Sequence, residues 1–141
     1  MATFLLKTEP SEYSFYDLVR EGRTAWSGIS NAAALIHVRA ALKGDQAFIY
    51  HTGTARSIVG LAEIVTDAYE DPARPGKNDK GRPKFAALDI RPVKKARTPI
   101  TLAQIKADKR FAKFLLVTRA RLSVMPVPPD LDKALRRLAG L

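Results

Sequence analysis

Three apolar runs of strand length constrain this chain more than any other feature. They are Phe4-Leu5-Leu6, Phe48-Ile49-Tyr50 and residues 58–65, and turn signals lie between them. Runs this short and this apolar suit buried strands. They predict three neighbouring core strands in one barrel-like sheet. The connecting segments carry helix punctuation. Ser14 and Asp17 have capping-box spacing ahead of a short helix that stops near Gly22. Asn31 is placed to cap a second helix over 32–42, with Leu35, Val38 and Leu42 on one face and Gly44 closing it. Residues 46–51 read as a strand and 57–69 as one long strand. Residues 71–83, rich in Pro, Gly and charge, read as an exposed loop. A strand over 84–93 follows, then a turn at Thr98-Pro99 and a short helix capped by Thr101. Another strand falls within 115–127. Pro128-Pro129 opens a last helix, stopped by Gly140. Five or six strands with short helices between them predict an α+β chain with a mostly antiparallel, barrel-like sheet. At 141 residues, with no repeat and no linker, 1–141 is read as a single domain.

Charge is divided unevenly. Residues 1–73 carry six Lys or Arg against nine Asp or Glu, whereas residues 74–141 carry eighteen against five. The net charge of +10 therefore resides in the second half, a pattern that suits an anionic partner, most often nucleic acid. Lys77, Lys80 and Arg82 lie in the Pro/Gly loop, and Lys84 stands at its exit. Arg119 and Arg121 alternate with Ala120 and Leu122, which on a strand places both on one face. These six side chains are the candidates for holding a phosphate backbone.

Several chemistries are excluded or disfavoured. The chain has no cysteine, so it has no disulfide, no thiol nucleophile and no thiolate metal ligand. Two isolated histidines, His37 and His51, make a transition-metal site improbable. No phosphate-binding lysine loop, dinucleotide glycine motif or nucleophile elbow is present. Asp67, Glu70, Asp71 and Asp79 read as solvated loop charges rather than a magnesium site. No apolar run reaches membrane-spanning length, and Met1 leads into a strand-like segment, so no signal peptide is expected. A cytoplasmic, non-enzymatic protein without cofactor or metal is expected, and no membrane partner.

Trp26 is the only tryptophan, and it stands in Trp26-Ser27-Gly28-Ile29-Ser30-Asn31. A flat indole among small neighbours suits stacking against a planar base. A core tryptophan is the other reading of the same residues. His51 ends a strand beside Tyr50, where it is placed either to meet a ligand or to make a structural hydrogen bond.

Motifs in order along nearly the whole chain resemble the EVE domain. They are Phe4-Leu5-Leu6-Lys7-Thr8-Glu9-Pro10, Tyr13-Ser14-Phe15, Trp26-Ser27-Gly28, Asn31, Gly44-Asp45, Tyr50-His51, Val59-Gly60-Leu61-Ala62-Glu63 and Arg121-Leu122-Ser123-Val124-Met125-Pro126-Val127. The resemblance implies a PUA-like pseudo-barrel related to YTH and ASCH domains, and a reader of modified bases in DNA, chiefly modified cytosines. It implies a base pocket with Trp26-Ser27 as an aromatic wall, Lys7-Thr8 at the end of the first strand and Tyr50-His51 on the rim. The family's Arg-Asn-Tyr-Gln-Ala-Arg-Asn segment is here Ser30-Asn31-Ala32-Ala33-Ala34-Leu35-Ile36, which keeps Asn31 and Ala34 alone and points to a wider or more apolar pocket. The expected function is capture of a flipped, modified base against Trp26. Lys7, Thr8, Ser27, Asn31 and His51 would give polar contacts. An RNA-binding PUA-like module and a small-molecule-binding domain are the alternatives that the same pocket would serve.

Overall fold

The computed structural model describes residues 1–141. Its strands are β1 (Thr3–Thr8), β2 (Thr24–Trp26), β3 (Gln46–His51), β4 (Ser57–Ile64), β5 (Tyr69–Glu70), β6 (Ala86–Thr101) and β7 (Val124–Pro126). They form a curled sheet in the order β2-β6-β4-β3-β1-β7, with β5 paired to β6. The β1–β3 pairing is parallel and the rest are antiparallel. Parallel pairing requires a crossover. Here it carries α1 (Phe15–Glu21), β2 and α2 (Ala32–Ala40). The three apolar runs are neighbours as expected, in the order β4-β3-β1.

Local capping chemistry places the helices. Ser14 and Asp17 form a capping box on α1, and Gly22 ends it in the left-handed region. Asn31 caps α2 by accepting from Ala34 N. Thr101 and Gln104 form a second capping box, on α3 (Leu102–Ala107). A 3₁₀ turn (Lys109–Phe111), α4 (Leu115–Thr118) and α5 (Pro129–Ala139) complete the chain. No helix is long and apolar enough to cross a membrane.

The core contains Phe15, Phe48, Phe111 and Phe114 among its largest buried side chains. Phe15 fixes α1 onto the sheet by lying against Gly60 of β4. A Cβ at Gly60 would stand 2.5 Å from the ring, so no larger residue fits there without displacing α1.

Four sequence expectations are corrected. Residues 57–69 are two strands, because the chain leaves β4 after Ile64 and Val65 N donates to Asp89 O across to β6. The strand read as 84–93 runs on to Thr101, through the expected turn at Thr98-Pro99. Ile58 pairs with Ile100 and Gly60 with Lys95, so residues 96–99 bulge out of the ladder, and a bulge tolerates proline's missing N–H. Residues 115–121 are a helix and turn. The N–H groups of Val117 and Thr118 both bond to Phe114 O, so Arg119 and Arg121 share no strand face. Leu42 lies beyond α2 and is 58% exposed, because Asp45 draws the chain into a turn by accepting from Leu42 N and Ala2 N.

Candidate nucleic-acid interface

The C-terminal end of β1 opens into a cavity of about 440 Å³. β1 contributes Lys7 and Thr8, and the turn that follows contributes Glu9, Glu12 and Tyr13. Trp26 comes from β2, and the loop down to Asn31 closes the other side. Trp26 is half-buried and its ring meets that of Tyr13 edge-on, with centroids 6.0 Å apart. Tyr13 is itself anchored. Thr8 Oγ1 donates to its carbonyl at 2.6 Å, and its own hydroxyl donates to Glu21 Oε1 at 2.7 Å. Burial, and after it the hydrogen bond to Glu21, hold the Tyr13 phenol above its ordinary pKa, so it stays protonated and donating.

The Trp26 loop is tied down from beneath. Asp71 is 3% exposed, and its carboxylate accepts from Gly28 N at 3.1 Å and Ala73 N at 3.0 Å. The expectation that Asp71 is a solvated loop charge is thereby corrected. Two backbone N–H groups make its burial affordable. Asn31 uses Oδ1 on Ala34 N, which leaves its amide N–H₂ without a partner in the protein. The hydroxyls of Ser27 and Ser30 and the indole N–H of Trp26 also have none, and none of them is a buried orphan. The cavity thus offers an aromatic wall and unspent neutral hydrogen-bonding groups. Its charged lining is Lys7 against Glu9 and Glu12. Glu9 is occupied by the backbone N–H and hydroxyl of Ser11, which hold its carboxyl below the usual range. Glu12 has no partner and is a free acceptor.

Lys7, Thr8, Trp26, Ser27 and Asn31 line one cavity. Tyr50 and His51 do not line it, which corrects their placement on its rim. β3 lies between β1 and β4, so the side chains at its end are covered. His51 is 4% exposed and pairs in register with Thr8. Its Nε2 accepts the N–H of Phe15 at 3.0 Å. Burial pushes the imidazole below its ordinary pKa, against a weaker pull from Glu9, and an accepting Nε2 requires that neutral form. His51 thus supports the start of α1 from behind the cavity wall. Tyr50 is also buried, with the Lys7 ammonium 5.8 Å from its ring centroid. Glu12, Tyr13, Ser30 and Ser123 are lining residues that the sequence reading did not single out. Glu12 and Tyr13 follow β1 closely in the chain and Ser30 stands beside Asn31, which was the available signal for those three.

The backbone candidates divide. Arg119 and Arg121 line a hollow of about 270 Å³ together with Asn31, so they border the cavity. Lys77, Lys80, Arg82 and Lys84 lie elsewhere, in a loop folded onto the end of α2. Arg82 Nη2 donates to Arg39 O at 2.7 Å, Arg39 Nη1 donates to Lys84 O at 3.0 Å, and Lys77 pairs with Glu70 at 3.5 Å. Arg39 is eight residues beyond Asn31 along the chain. At the helical rise this sets the loop's anchor about 12 Å from the cavity side of α2. No group of three or more His, Asp or Glu lies close enough to hold a metal ion.

The EVE domain family model matches residues 2–138. Human thymocyte nuclear protein 1 is 30% identical over 90% of this chain and 69% of that protein. Protein Rpa0253 of Rhodopseudomonas palustris is 39% identical in sequence. Its structure superposes with a TM-score of 0.88 over 99% of this chain and 94% of that one. Human THYN1 protein, solved in complex with 5-methylcytosine-containing DNA, is 26% identical and superposes with a TM-score of 0.88 over 100% of this chain and 99% of that one. An ASCH protein of Zymomonas mobilis shares the fold at 15% identity, with a TM-score of 0.60.

Proposed function

Since this chain belongs to the EVE domain family, we propose that it is a non-enzymatic DNA-binding module that reads a modified base, such as a modified cytosine, turned out of the helix. The observation that carries this reading is the 440 Å³ cavity with half-buried Trp26 on its wall and unspent donors from Ser27 and Asn31 around it. Support also comes from the human relative solved with 5-methylcytosine-containing DNA.

A base stacked in a duplex hides its faces, so contact with an indole face requires extrusion. Stacking on an aromatic side chain contributes about 1–3 kcal/mol per base. The amide of Asn31 and the hydroxyls of Ser27 and Ser30 face no competing protein acceptor, and the ring edge of a base supplies one. Glu12 complements an exocyclic amino group, a carboxylate accepting from N4 of a cytosine-type base. Lys7 and Thr8 define the floor at the end of β1. Arg119 and Arg121 hold flanking phosphates beside the cavity, and the loop of Lys77, Lys80, Arg82 and Lys84 adds attraction at longer range.

The test is a pair of measurements on Trp26→Ala and Trp26→Phe. One is titration with DNA strands that carry 5-methylcytosine or cytosine at one position, and the other is the thermal midpoint. Trp26→Ala is expected to lose about 1–3 kcal/mol of binding. Its stability loss should stay below the about 3–5 kcal/mol typical of a fully buried aromatic. Trp26→Phe should retain part of the binding. A Trp26→Ala variant that melts far below wild type yet binds equally well when folded would make the indole scaffold and overturn the reading. An RNA strand in parallel distinguishes the polymer, because only a site that contacts the 2′-hydroxyl prefers it.

A further inference from the structure

We propose that a second cleft, walled by Lys7, Arg56 and Lys106, holds the phosphodiester that flanks the captured base. The proposal rests on the base-reading function above, because Lys7 lines both the Trp26 cavity and this cleft. The cleft, of about 300 Å³, lies between the β3–β4 turn on one side and α3 and α4 on the other. Past Arg56 and Lys106 it continues into a hollow of about 350 Å³. Neither has a carboxylate in its lining.

None of the three cations forms an ion pair. The Lys7 ammonium donates to Ala120 O at 2.8 Å, and its half-burial lowers its pKa. Arg56 uses Nε on Gly53 O at 3.2 Å, and its terminal nitrogens have no acceptor in the protein. Lys106 has no ion-pair partner. No carboxylate lines the cleft beside these cations, and a bound anion would supply the counter-charge there. The same lining includes the apolar side chains of Leu102, Leu116 and Val117. Cations beside apolar side chains in one cleft match a nucleotide backbone, whose charged phosphate adjoins an uncharged sugar.

The backbone at Arg56 is the second observation. With φ of 41°, Arg56 is the one non-glycine residue in the left-handed region. A long side chain held there is a strained choice, and such strain persists where the surroundings enforce it and concentrates at functional sites. The enforcing contact is Leu102 N donating to Arg56 O at 2.7 Å, which ties the turn to the start of α3. Glycine would relax this turn, but it would remove the guanidinium.

The test compares two ligands on the full chain. One is the free nucleoside 5-methyldeoxycytidine, which has no phosphate. The other is a DNA strand of about nine nucleotides with one central 5-methylcytosine, a length within single-strand site sizes. For Arg56→Gln/Lys106→Gln, nucleoside affinity should match wild type, while strand affinity should fall about tenfold, or about 1.4 kcal/mol. The log–log salt slope should become shallower by about 0.7, one phosphate contact on a single strand. Arg56→Lys/Lys106→Arg should restore both. Should the glutamine variant melt below wild type, the single Lys106→Glu substitution at an exposed helical position gives the same comparison. Strand binding with unchanged affinity and slope in the glutamine variant overturns the cleft and leaves the base reading standing. Strand binding that survives Trp26→Ala but falls with Arg56→Gln/Lys106→Gln keeps the phosphate site and removes the base reading. Inorganic phosphate or a mononucleotide that matches the strand's affinity would mean a free-anion site, and would also overturn the proposal.

Discussion

The Trp26 cavity and the Arg56–Lys106 cleft are neighbours that share Lys7, yet they are built from opposite chemistry. The cavity has two carboxylates, one cation, an indole and neutral donors without partners. The cleft has three cations and no carboxylate. An anion is disfavoured in the first and favoured in the second, whereas a neutral aromatic ring finds its partners only in the first. One nucleotide has both parts. The basic loop of residues 77–84 borders neither the cavity nor the cleft. Lys77, Arg82 and Lys84 are drawn into contacts with Glu70 and Arg39, away from Trp26.

The largest effect should come from removing the support under the cavity. Asp71→Asn leaves the N–H of Gly28 or Ala73 facing an amide in place of a buried carboxylate, and a lost buried charge-assisted contact costs about 1–3 kcal/mol. We expect a lower thermal midpoint and weaker nucleoside binding, with binding at the cleft less affected. Equal loss at both sites would mean that they are one cooperative unit. Next in size are the cations. Arg119→Glu/Arg121→Glu should weaken binding of a DNA strand more than Lys80→Glu/Lys84→Glu, because only the first pair borders the cavity. Both should act alike on modified and unmodified strands, since phosphates carry no base identity. A reversed order would return the loop to the centre of the interface.

The cap signals were legible because they are local. Ser14 with Asp17, Asn31, and Thr101 with Gln104 each fold within four residues, and each caps as its spacing suggests. Trp26 was legible for the same reason, since its small neighbours follow it directly in the chain. His51 was not, because a strand-end position says nothing about whether the strand is central or at an edge. Asp71 was hidden differently. Its partner Gly28 is 43 residues away, and in sequence it looks like its exposed neighbours. The helix at Leu115–Thr118 was missed because apolar residues at 114–117 and alternation at 119–122 imitate a strand. Only the packing of Phe111, Phe114 and Leu116 into the core decides otherwise.

The smallest expected effect is on pH. The folded pKa of His51 lies below the ordinary 6.5, so below that pH the unfolded chain takes up a proton that the folded chain withholds. Stability should therefore be flat above about pH 7 and fall as the pH drops through 6.5 towards the folded value. His37, also lowered by burial, adds in the same direction. His51→Gln keeps an acceptor for Phe15 N without titrating, so its melting temperature should fall less on acidification. An unchanged pH profile would place the proton uptake at His37 instead.

Because Trp26 is the only tryptophan, its fluorescence reports on the cavity wall without any label. The most direct measurement is its emission during titration with a DNA strand carrying one 5-methylcytosine, with binding followed independently by anisotropy on the DNA. If the base stacks on the indole, emission should change saturably with the same Kd as the anisotropy, and the free nucleoside should produce the same change at higher concentration. Saturable binding by anisotropy with unaltered Trp26 emission would contradict the claim that the base lies against Trp26.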